Sequence, residues 1–305
     1  MLKTKGDKVL IENPLSLISS NQLDWIFKGL KELAQEASAT TNYFSELEPW
    51  LSSFEQAIYD LDPRVYETII SKSSRRSQVD KTMDLSNYAL VVMDGLSLRE
   101  SFLLSKNLRE KWDTQLTYDV TTLPTDTCFF SLRHLGTNAP SELKKRKNLP
   151  YDFEEIVNIE DLAKINTSEK KKLIIWVREP DKTLHEFREK FRIDDISQAY
   201  EKAKNISNAL IPILRENFHR VDLTSDHGYV TDPHSWKCLE DFPSDLRYTI
   251  TIPDTMKQYC MKCREYWLLI GRYNTLKRGR HGNIRHGGLS LMEAITPWLI
   301  VSEKT

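Results

Sequence analysis

Long hydrophobic runs are missing from this 305-residue chain. No apolar stretch approaches the roughly 18 residues needed to cross a bilayer. The first 14 residues also lack a long apolar segment followed by a small-residue cleavage site. The sequence therefore predicts neither a membrane span nor a secretory signal, and we expect a cytoplasmic protein without a membrane partner.

Cysteine is scarce as well. Four cysteines are too few for a disulfide scaffold, which agrees with a reducing compartment. Cys260 and Cys263 have the spacing of half a zinc knuckle, but the sequence contains no second C-x-x-C pair to complete one. We therefore interpret them as two thiols near a strand and not as a metal site.

Neither sign of charge is in excess. The 43 Lys and Arg residues nearly balance the 44 Asp and Glu residues, so affinity for nucleic acid would have to come from a local patch. Hydrophobic residues make up 40% of the chain and charged residues 29%, which argues against general disorder. The length is sufficient for two domains, or for one large domain with an appendage.

Hydrophobic periodicity divides the chain into two parts. Apolar residues recur at helical spacing from Pro14 to about Lys72, and the polar, serine-rich segment 71–84 is typical of a linker or an exposed loop. After Leu85, apolar strands alternate with helical segments, which predicts an α/β sheet with crossover helices. We expect an N-terminal helical region over 1–84 and an α/β domain over 85–305.

The α/β part contains well-separated predicted elements. Segment 141–162, a basic cluster followed by an acidic one, is interpreted as a solvated insertion. The predicted strands are 88–93, 115–120, 173–177, 220–224, 248–252 and 267–270, and the predicted helices are 98–112, 127–135, 184–191 and 196–217.

Polar side chains follow several of these predicted strands. Asp94 stands before one glycine, and Asp226 and His227 stand before another. Thr125 and Thr127 lie where a helix begins, a place that favours anions. In open α/β sheets the ligand crevice lies at the carboxyl ends of the strands, so these side chains are candidate site residues.

Two further signals add nitrogen ligands. Asp181 and His185 are four residues apart, and a helix that starts near residue 182 brings them to one face, as a shared metal requires. His286 lies on a glycine loop before a Ser290–Glu293 capping box that predicts a helix. Singly, these residues fit turns, helix caps or surface positions. Together, three aspartates, three histidines and a threonine fit two zinc-like sites with oxygen and nitrogen ligands.

The order of these residues resembles the alkaline phosphatase superfamily, especially its phosphodiesterase branch. The shared pattern is an Asp after the first strand, a Pro-Thr-x-Thr turn, Asp-x-x-x-His, Asp-His-Gly and a late His-Gly. The segments TSDHGYV and RHGGLSLMEAITPWLIV look more particularly like a PglZ domain, which is found in phage-exclusion systems and in some response regulators. The resemblance covers roughly Leu85 to Val301. It implies an alkaline-phosphatase-like, mostly parallel sheet flanked by helices, with the catalytic PglZ domain over 85–305.

The resemblance also implies a set of metal ligands and a mechanism. His227 and Asp226 can exchange between the two ions, which would be zinc or alternatively manganese. Metal coordination would activate the nucleophile Thr127, since no histidine base is expected beside it, and a phosphothreonine would form and then be hydrolysed. Thr125 is the alternative nucleophile. The implied ligands are Asp94, Thr127, Asp226 and His227 for one ion, and Asp181, His185 and His286 for the other.

A basic stretch near the C-terminus bears on the substrate. Residues 271–286, GRYNTLKRGRHGNIRH, contain five Lys or Arg residues and no acid. Such a loop can guide the backbone of a nucleic acid, or it can be a solvated loop without substrate. We expect the phosphoester substrate to be a phosphodiester, in a nucleotide or in nucleic acid, with Arg278, Arg280 and Arg285 as candidate contacts.

Two other functions stay open at this point. A catalytically idle PglZ module could bind partner proteins of a defence assembly through its helical N-terminal region, although all seven ligand-type residues are present. Alternatively, the basic loop could make the chain a nucleic-acid binder. That binding would depend strongly on salt and would survive the replacement of Asp226 and His227.

Overall fold

The N-terminal part of the chain is mainly helical. The computed structural model describes residues 2–5, 8–11, 22–165, 167, 170–186, 192–231, 234–275 and 284–304. In the described part of 1–84, a hairpin precedes the helices. These elements are β1 (Leu2–Lys5), β2 (Lys8–Ile11), α1 (Gln22–Ala37), α2 (Tyr43–Leu61), α3 (Val65–Ser73) and α4 (Gln78–Met83).

Strands and helices then alternate, as the sequence predicts. The elements up to residue 224 are β3 (Tyr88–Met93), α5 (Leu98–Leu108), β4 (Asp113–Val120), α6 (Thr127–Leu135), β5 (Asp152–Ile156), β6 (Lys172–Val177), α7 (Asp181–Glu186), α8 (Ile193–Arg215) and β7 (Arg220–Thr224). Short strands and one four-residue helix follow, and a long strand is the last element. They are β8 (Val230–Thr231), β9 (Lys237–Leu239), β10 (Tyr248–Thr249), β11 (Cys260–Cys263), β12 (Tyr266–Leu269), β13 (Tyr273–Thr275), β14 (Ile284–Arg285), α9 (Leu291–Ala294) and β15 (Ile295–Ser302).

The central sheet has six strands in the order β4-β15-β7-β3-β6-β5. Strands β5, β6, β3 and β7 are parallel, and β15 is antiparallel to both of its neighbours. Ala89 of β3 pairs with Leu173 of β6 and Val221 of β7, so the carboxyl ends of these three strands meet at one edge. The predicted α/β class with a mostly parallel sheet is confirmed.

Both faces of the sheet are covered, which explains why β3 reads as a continuous apolar run. Ala89, Val91 and Met93 belong to one buried cluster, while Leu90 and Val92 belong to another. Helices α1, α2, α3, α5 and α8 contribute to the first cluster, and helices α4 and α6 to the second. The N-terminal helices therefore share a hydrophobic core with the sheet. No described helix has the length and hydropathy of a membrane span.

Two elements of the sheet contradict the sequence interpretation. Segment 141–162 is not merely a solvated insertion, because Asp152–Ile156 forms the edge strand β5. The helix predicted after His286 is only four residues long, and the β-prone run Ile295–Ser302 continues as β15 inside the sheet. Long-range pairing with β4 and β7 decides this outcome, and no local pattern shows it.

Smaller differences concern the ends of elements. The supposed linker 71–84 contains helix α4, whose capping box joins Ser77 and Asp80. The helix predicted over 184–191 begins already at Asp181, and residues 187–191 lie outside the described residues. Cys260 and Cys263 bound strand β11 as free, buried thiols, in agreement with their interpretation.

Gly228 provides a test of how tightly the fold closes around the residues after β7. A Cβ atom at this position would lie 2.0 Å from the backbone carbonyl oxygen of Met292, which cannot move without α9. We expect Gly228→Ala to lower the free energy of unfolding by about 3 kcal/mol, as measured by urea denaturation. The control is Gly136→Ala at the end of α6, where the strain of a left-handed residue costs about 1 kcal/mol and the nearest atom is a flexible arginine end. Equal losses in the two variants would contradict this account.

Candidate metal centre

The predicted ligands meet at the carboxyl edge of the sheet, where β3, β6 and β7 end. Asp94 directly follows β3, and its backbone N–H donates to the carbonyl of Val177 at the end of β6, at 2.8 Å. The N–H of Asp181 in turn donates to the carbonyl of Asp94, at 3.0 Å. Backbone hydrogen bonds thus hold these two aspartates side by side, although 87 positions separate them in the sequence.

The turn after β7 directs Asp226 and His227 to the same place. The Asp226 carboxylate accepts the N–H of Gly95 at 3.1 Å, which ties it to the turn that follows Asp94. The Nδ1 atom of His227 lies 3.0 Å from the carbonyl oxygen of Gly228. The N–H of Gly228 donates to the Glu293 carbonyl at 3.0 Å, so the turn is anchored to α9. An acid and an imidazole that are adjacent in sequence therefore face one centre.

Thr127, the first residue of α6, lies against this group. Its hydroxyl donates to Asp226 Oδ2 at 2.6 Å, and lies 3.3 Å from His227 Nε2 and 3.4 Å from Asp94 Oδ1. A histidine nitrogen thus does adjoin the threonine, contrary to the expectation from the sequence. The reason is that the turn after β7 folds back over the start of α6, which the spacing of the residues does not show.

A second group of ligands adjoins the first. Nε2 of His185 lies 3.1 Å from Asp181 Oδ1, because α7 places residues 181 and 185 on one face. His286 stacks on His227 with ring centroids 4.2 Å apart, and its ring centroid lies 6.0 Å from that of His185. Two sets of three residues offer ligand atoms, and within each set these atoms lie within 4.8 Å of one another. One set is Asp181, His185 and His286, and the other is Asp94, Asp181 and His227. Asp181 belongs to both sets, whereas the sequence assigned it to one ion.

Burial and charge shift the acid–base behaviour of this centre. Burial, together with the charges of Asp226 and Asp181, raises the pKa of Asp94 well above its usual value. Burial also raises the pKa of Asp226. Burial alone would lower the pKa of His227, but the surrounding aspartates outweigh it and raise this pKa to about 9. Without a metal, Asp94, Asp226 and His227 therefore retain protons to higher pH than isolated side chains do. Burial alone would also raise the pKa of Asp181, but the hydrogen bond with His185 and the neighbouring imidazoles hold it below its usual value.

The side chains fit divalent cations that accept oxygen and nitrogen ligands. A backbone carbonyl can only accept a hydrogen bond, so Nδ1 of His227 carries a proton where it faces Gly228. The same holds for Nδ1 of His286, which lies 3.3 Å from the carbonyl of Thr125. In the neutral ring each Nε2 atom then carries the lone pair, which is how a metal-binding histidine is commonly oriented by its surroundings. Carboxylates and such imidazoles suit zinc, and manganese is also compatible.

Thr125 holds the loop that carries His286. Its hydroxyl donates to the carbonyl of Gly288 at 3.1 Å and accepts the N–H of Gly287 at 2.9 Å. The side chain is completely buried, whereas that of Thr127 is only partly buried. The two threonines of the Pro-Thr-x-Thr turn therefore occupy different environments, and Thr125 contacts the backbone instead of the ligand group.

Two carboxylates hold the rest of the same loop. Glu293 accepts the N–H groups of Gly288 and Ser290, each at 3.0 Å. Glu55, on helix α2, accepts the N–H of Leu291 at 2.6 Å. The position of His286 thus depends on side chains from the turn before α6, from α9 and from the N-terminal helices.

The basic stretch 271–286 is described only in part. Arg278 and Arg280 lie outside the described residues. Arg285 is 2% exposed and donates to the carbonyl of Asp245 at 3.2 Å, and Arg272 is fully buried against Glu48. These two arginines therefore contact other parts of the fold, and a substrate contact of Arg285 stays a prediction.

Two residues beside the centre were not predicted as site residues from the sequence. Trp176 donates its indole N–H to Asp94 Oδ2 at 3.3 Å, and the guanidinium of Arg178 lies 3.6 Å from the same oxygen. Both stand at the end of the predicted strand that leads to Asp181. Their position at a strand end was a usable signal, but only the sheet order shows that they face Asp94.

Comparisons with known proteins give similarity in structure only. No family model matches the chain, and a search of curated proteins finds no match. Murine ectonucleotide pyrophosphatase / phosphodiesterase 5 aligns at 11% identity over 71% of this chain and 88% of its own, with a TM-score of 0.44. Phosphonoacetate hydrolase from Sinorhizobium meliloti 1021 aligns at 10% identity over 70% and 89%, with a TM-score of 0.40. The C-terminal periplasmic domain of EcEptC from Escherichia coli, in complex with zinc, aligns at 13% identity over 71% and 72%, with a TM-score of 0.34. At this level of similarity, function has to be argued from the residues of this chain.

Thr125→Val tests whether this threonine supports the metal centre. Valine has nearly the same shape but removes the hydroxyl that binds Gly287 and Gly288, so we expect the affinity for the zinc ion held by His286 to fall about tenfold. Calorimetric zinc titration measures this, and Thr125→Ser serves as the control that keeps the hydroxyl. Wild-type zinc binding in the valine variant would contradict the role. If that variant also lost all phosphoesterase activity, Thr125 and not Thr127 would be the candidate nucleophile.

Metal binding should release protons at neutral pH. The pKa of His227 is about 9 in the metal-free protein, so its Nε2 is protonated at pH 7 and must lose that proton to bind an ion. We expect zinc affinity to rise as the pH increases from 6 towards 9. Titrations at pH 7 in buffers of different ionisation enthalpy measure the protons released, and His227→Gln should release fewer. An enthalpy that does not depend on the buffer would contradict the expectation.

Proposed function

We propose that this chain is a metal-dependent phosphoesterase that uses Thr127 as its nucleophile. One observation carries the proposal: the Thr127 hydroxyl lies within 3.4 Å of Asp94, Asp226 and His227 at the carboxyl edge of the sheet. Thr127 also opens helix α6, whose N-terminal end favours the approach of a phosphate anion. An alcohol, buried acids and imidazoles at such a place are the groups that phosphoryl transfer to a threonine requires.

The residues that would hold the ions are those of the two ligand groups. Asp181, His185 and His286 form one group, and Asp94 and His227 form the other together with Asp181. When bound, two divalent cations, zinc or alternatively manganese, would supply positive charge that favours an ionised threonine and stabilises the charge developing on the phosphoryl oxygens. Asp226 accepts hydrogen bonds from Thr127 and Gly95, and its Oδ2 lies 3.4 Å from His227 Nε2.

The chain's own residues account for the proton and bond changes. Asp226 Oδ2, 2.6 Å from the hydroxyl, is placed to take the proton of Thr127, and burial makes this carboxylate more basic than an exposed one. The threonine oxygen then bonds to phosphorus while the bond from phosphorus to the leaving oxygen breaks. The proton taken from Thr127 ends on the leaving oxygen. Water next attacks phosphorus and the bond to the threonine oxygen breaks, so a diester yields a phosphomonoester and a monoester yields phosphate. A proton of this water returns to the Thr127 oxygen.

The substrate class and the setting are finer parts of the proposal. We propose phosphodiesters, such as those of nucleotides, because the motif order resembles the phosphodiesterase branch of the superfamily. A PglZ-type role in phage defence, in the cytoplasm, rests on the segments TSDHGYV and RHGGLSLMEAITPWLIV alone. A nucleic-acid contact through the basic stretch 271–286 stays a prediction, and residues 276–283 of this stretch lie outside the described residues.

Replacement of Thr127 tests the enzymatic function. With two equivalents of zinc or manganese and a chromogenic diester, we expect Thr127→Ala to lower kcat by about 10³-fold or more while zinc stoichiometry is kept. Thr127→Ser should keep part of the activity, and Thr68→Ala on helix α3 serves as a control outside the centre. Equal rates for wild type and Thr127→Ala would exclude this nucleophile. A wild-type protein that binds zinc but cleaves neither monoesters nor diesters would instead favour the idle, partner-binding module.

A further inference from the structure

Arg178 stands at the edge of the metal centre, on the face of the sheet that carries the nucleophile. It is the first residue after β6, and its backbone N–H donates to the carbonyl of Ile156 at 2.9 Å. Trp176, two positions earlier and hence on the same face, packs on Phe130 of α6 with ring centroids 6.1 Å apart. Helix α6 begins with Thr127, so Arg178 flanks the end of the helix where the proposed reaction takes place.

Among the described residues, the carboxylates nearest to the guanidinium of Arg178 lie beyond hydrogen-bonding distance. Its Nη1 lies 3.6 Å from Asp94 Oδ2, and its Nε lies 3.8 Å from Glu155 Oε1, both beyond hydrogen-bonding distance. Each acid has a closer donor, because Trp176 donates to Asp94 at 3.3 Å and Lys144 lies 3.0 Å from Glu155. The Arg178 side chain is also 41% exposed. Its planar set of donors can therefore bind another acceptor without breaking a short ion pair.

The Asp94 carboxylate lies between Arg178 and the nucleophile. One of its oxygens is 3.4 Å from the Thr127 hydroxyl, and the other is 3.6 Å from the guanidinium. A phosphoryl group that bonds to the threonine oxygen consequently comes within reach of Arg178. Arginine suits this role, since its fork of N–H groups matches two phosphate oxygens at once.

Arg178 also places a positive charge beside the aspartates of the centre. We propose that Arg178 binds the non-bridging oxygens of the phosphoryl group that is transferred to Thr127. This inference rests on the proposed function and names the residue that selects the phosphoester anion.

The experiment measures the binding of inorganic phosphate, so that it does not depend on turnover. Zinc-loaded wild type, Arg178→Gln and Arg178→Lys are titrated with phosphate in a calorimeter, and zinc affinity is measured for each. Arg220→Gln is the matched control, because Arg220 is 40% exposed, opens β7 at the opposite edge of the sheet and also pairs with an aspartate. Steady-state kinetics with a chromogenic diester then separate KM from kcat.

We expect Arg178→Gln to weaken phosphate binding and to raise KM by about 10-fold to 100-fold, the loss of a charge-assisted contact. Arg178→Lys should recover part of the binding, and Arg220→Gln should leave it unchanged. Zinc affinity in Arg178→Gln should stay equal or increase, because a cation beside a metal ligand has been removed.

A lower zinc affinity with unchanged phosphate binding would overturn the inference, since Arg178 would then only support Asp94. An unchanged phosphate affinity in Arg178→Gln would do the same, even if the diester is cleaved normally. If the proposed function itself is wrong, wild type and Thr127→Ala will cleave the diester at equal rates. The phosphate titration of Arg178→Gln therefore distinguishes failure of this inference from failure of the proposed function.

Discussion

The site depends on the charge of three aspartates that the fold brings together. Asp94 and Asp226 are fully buried, and Asp181 is largely buried beside them. Removing a carboxylate from water costs several kcal/mol, and neighbouring like charges add to that cost. Imidazoles offset this cost unevenly. His185, 3.1 Å from Asp181, helps to hold the pKa of Asp181 below its usual value despite burial, whereas the pKa values of Asp94 and Asp226 stay raised. The raised pKa of His227 shows that this ring retains a proton among the acids. Such a cluster is favourable when divalent cations bind, so the arrangement that is costly in the metal-free protein also makes it a candidate metal site.

The loop with His286 is held by a buried ionic network that starts in the N-terminal helices. Glu48 on α2 contacts Arg272 at 2.8 Å and Arg99 at 3.2 Å, and all three side chains are almost completely buried. Burial alone would raise the pKa of Glu48, but the two arginines lower it to about 2. Removal of one partner from such a network leaves a buried charge and costs about 3–5 kcal/mol. Helix α2, which also supplies Glu55 to the loop, is therefore part of the scaffold of the site, and a partner protein could use only the outer faces of the N-terminal helices.

Local sequence patterns predicted the elements that carry the site better than they predicted the sheet. The strands Tyr88–Met93 and Arg220–Thr224 and the helix Thr127–Leu135 agree with the predicted bounds, because each is a short apolar run or a periodic segment with clear end signals. Strand Asp152–Ile156 was missed because a charged edge strand resembles a solvated loop. Strand Ile295–Ser302 was missed because its pairing partners lie far away in the sequence.

By itself, the sequence determined which acids, imidazoles and hydroxyls follow the strands, because strand ends and helix starts can be predicted from local composition. The tertiary structure decided how these groups are shared: it placed Asp181 in both ligand groups, committed Thr125 to a loop, buried Arg285 and brought Arg178 to Asp94. The physical reason is that the order of strands and the direction of a side chain depend on packing and hydrogen bonds between distant segments. Those interactions exist only after the chain has folded.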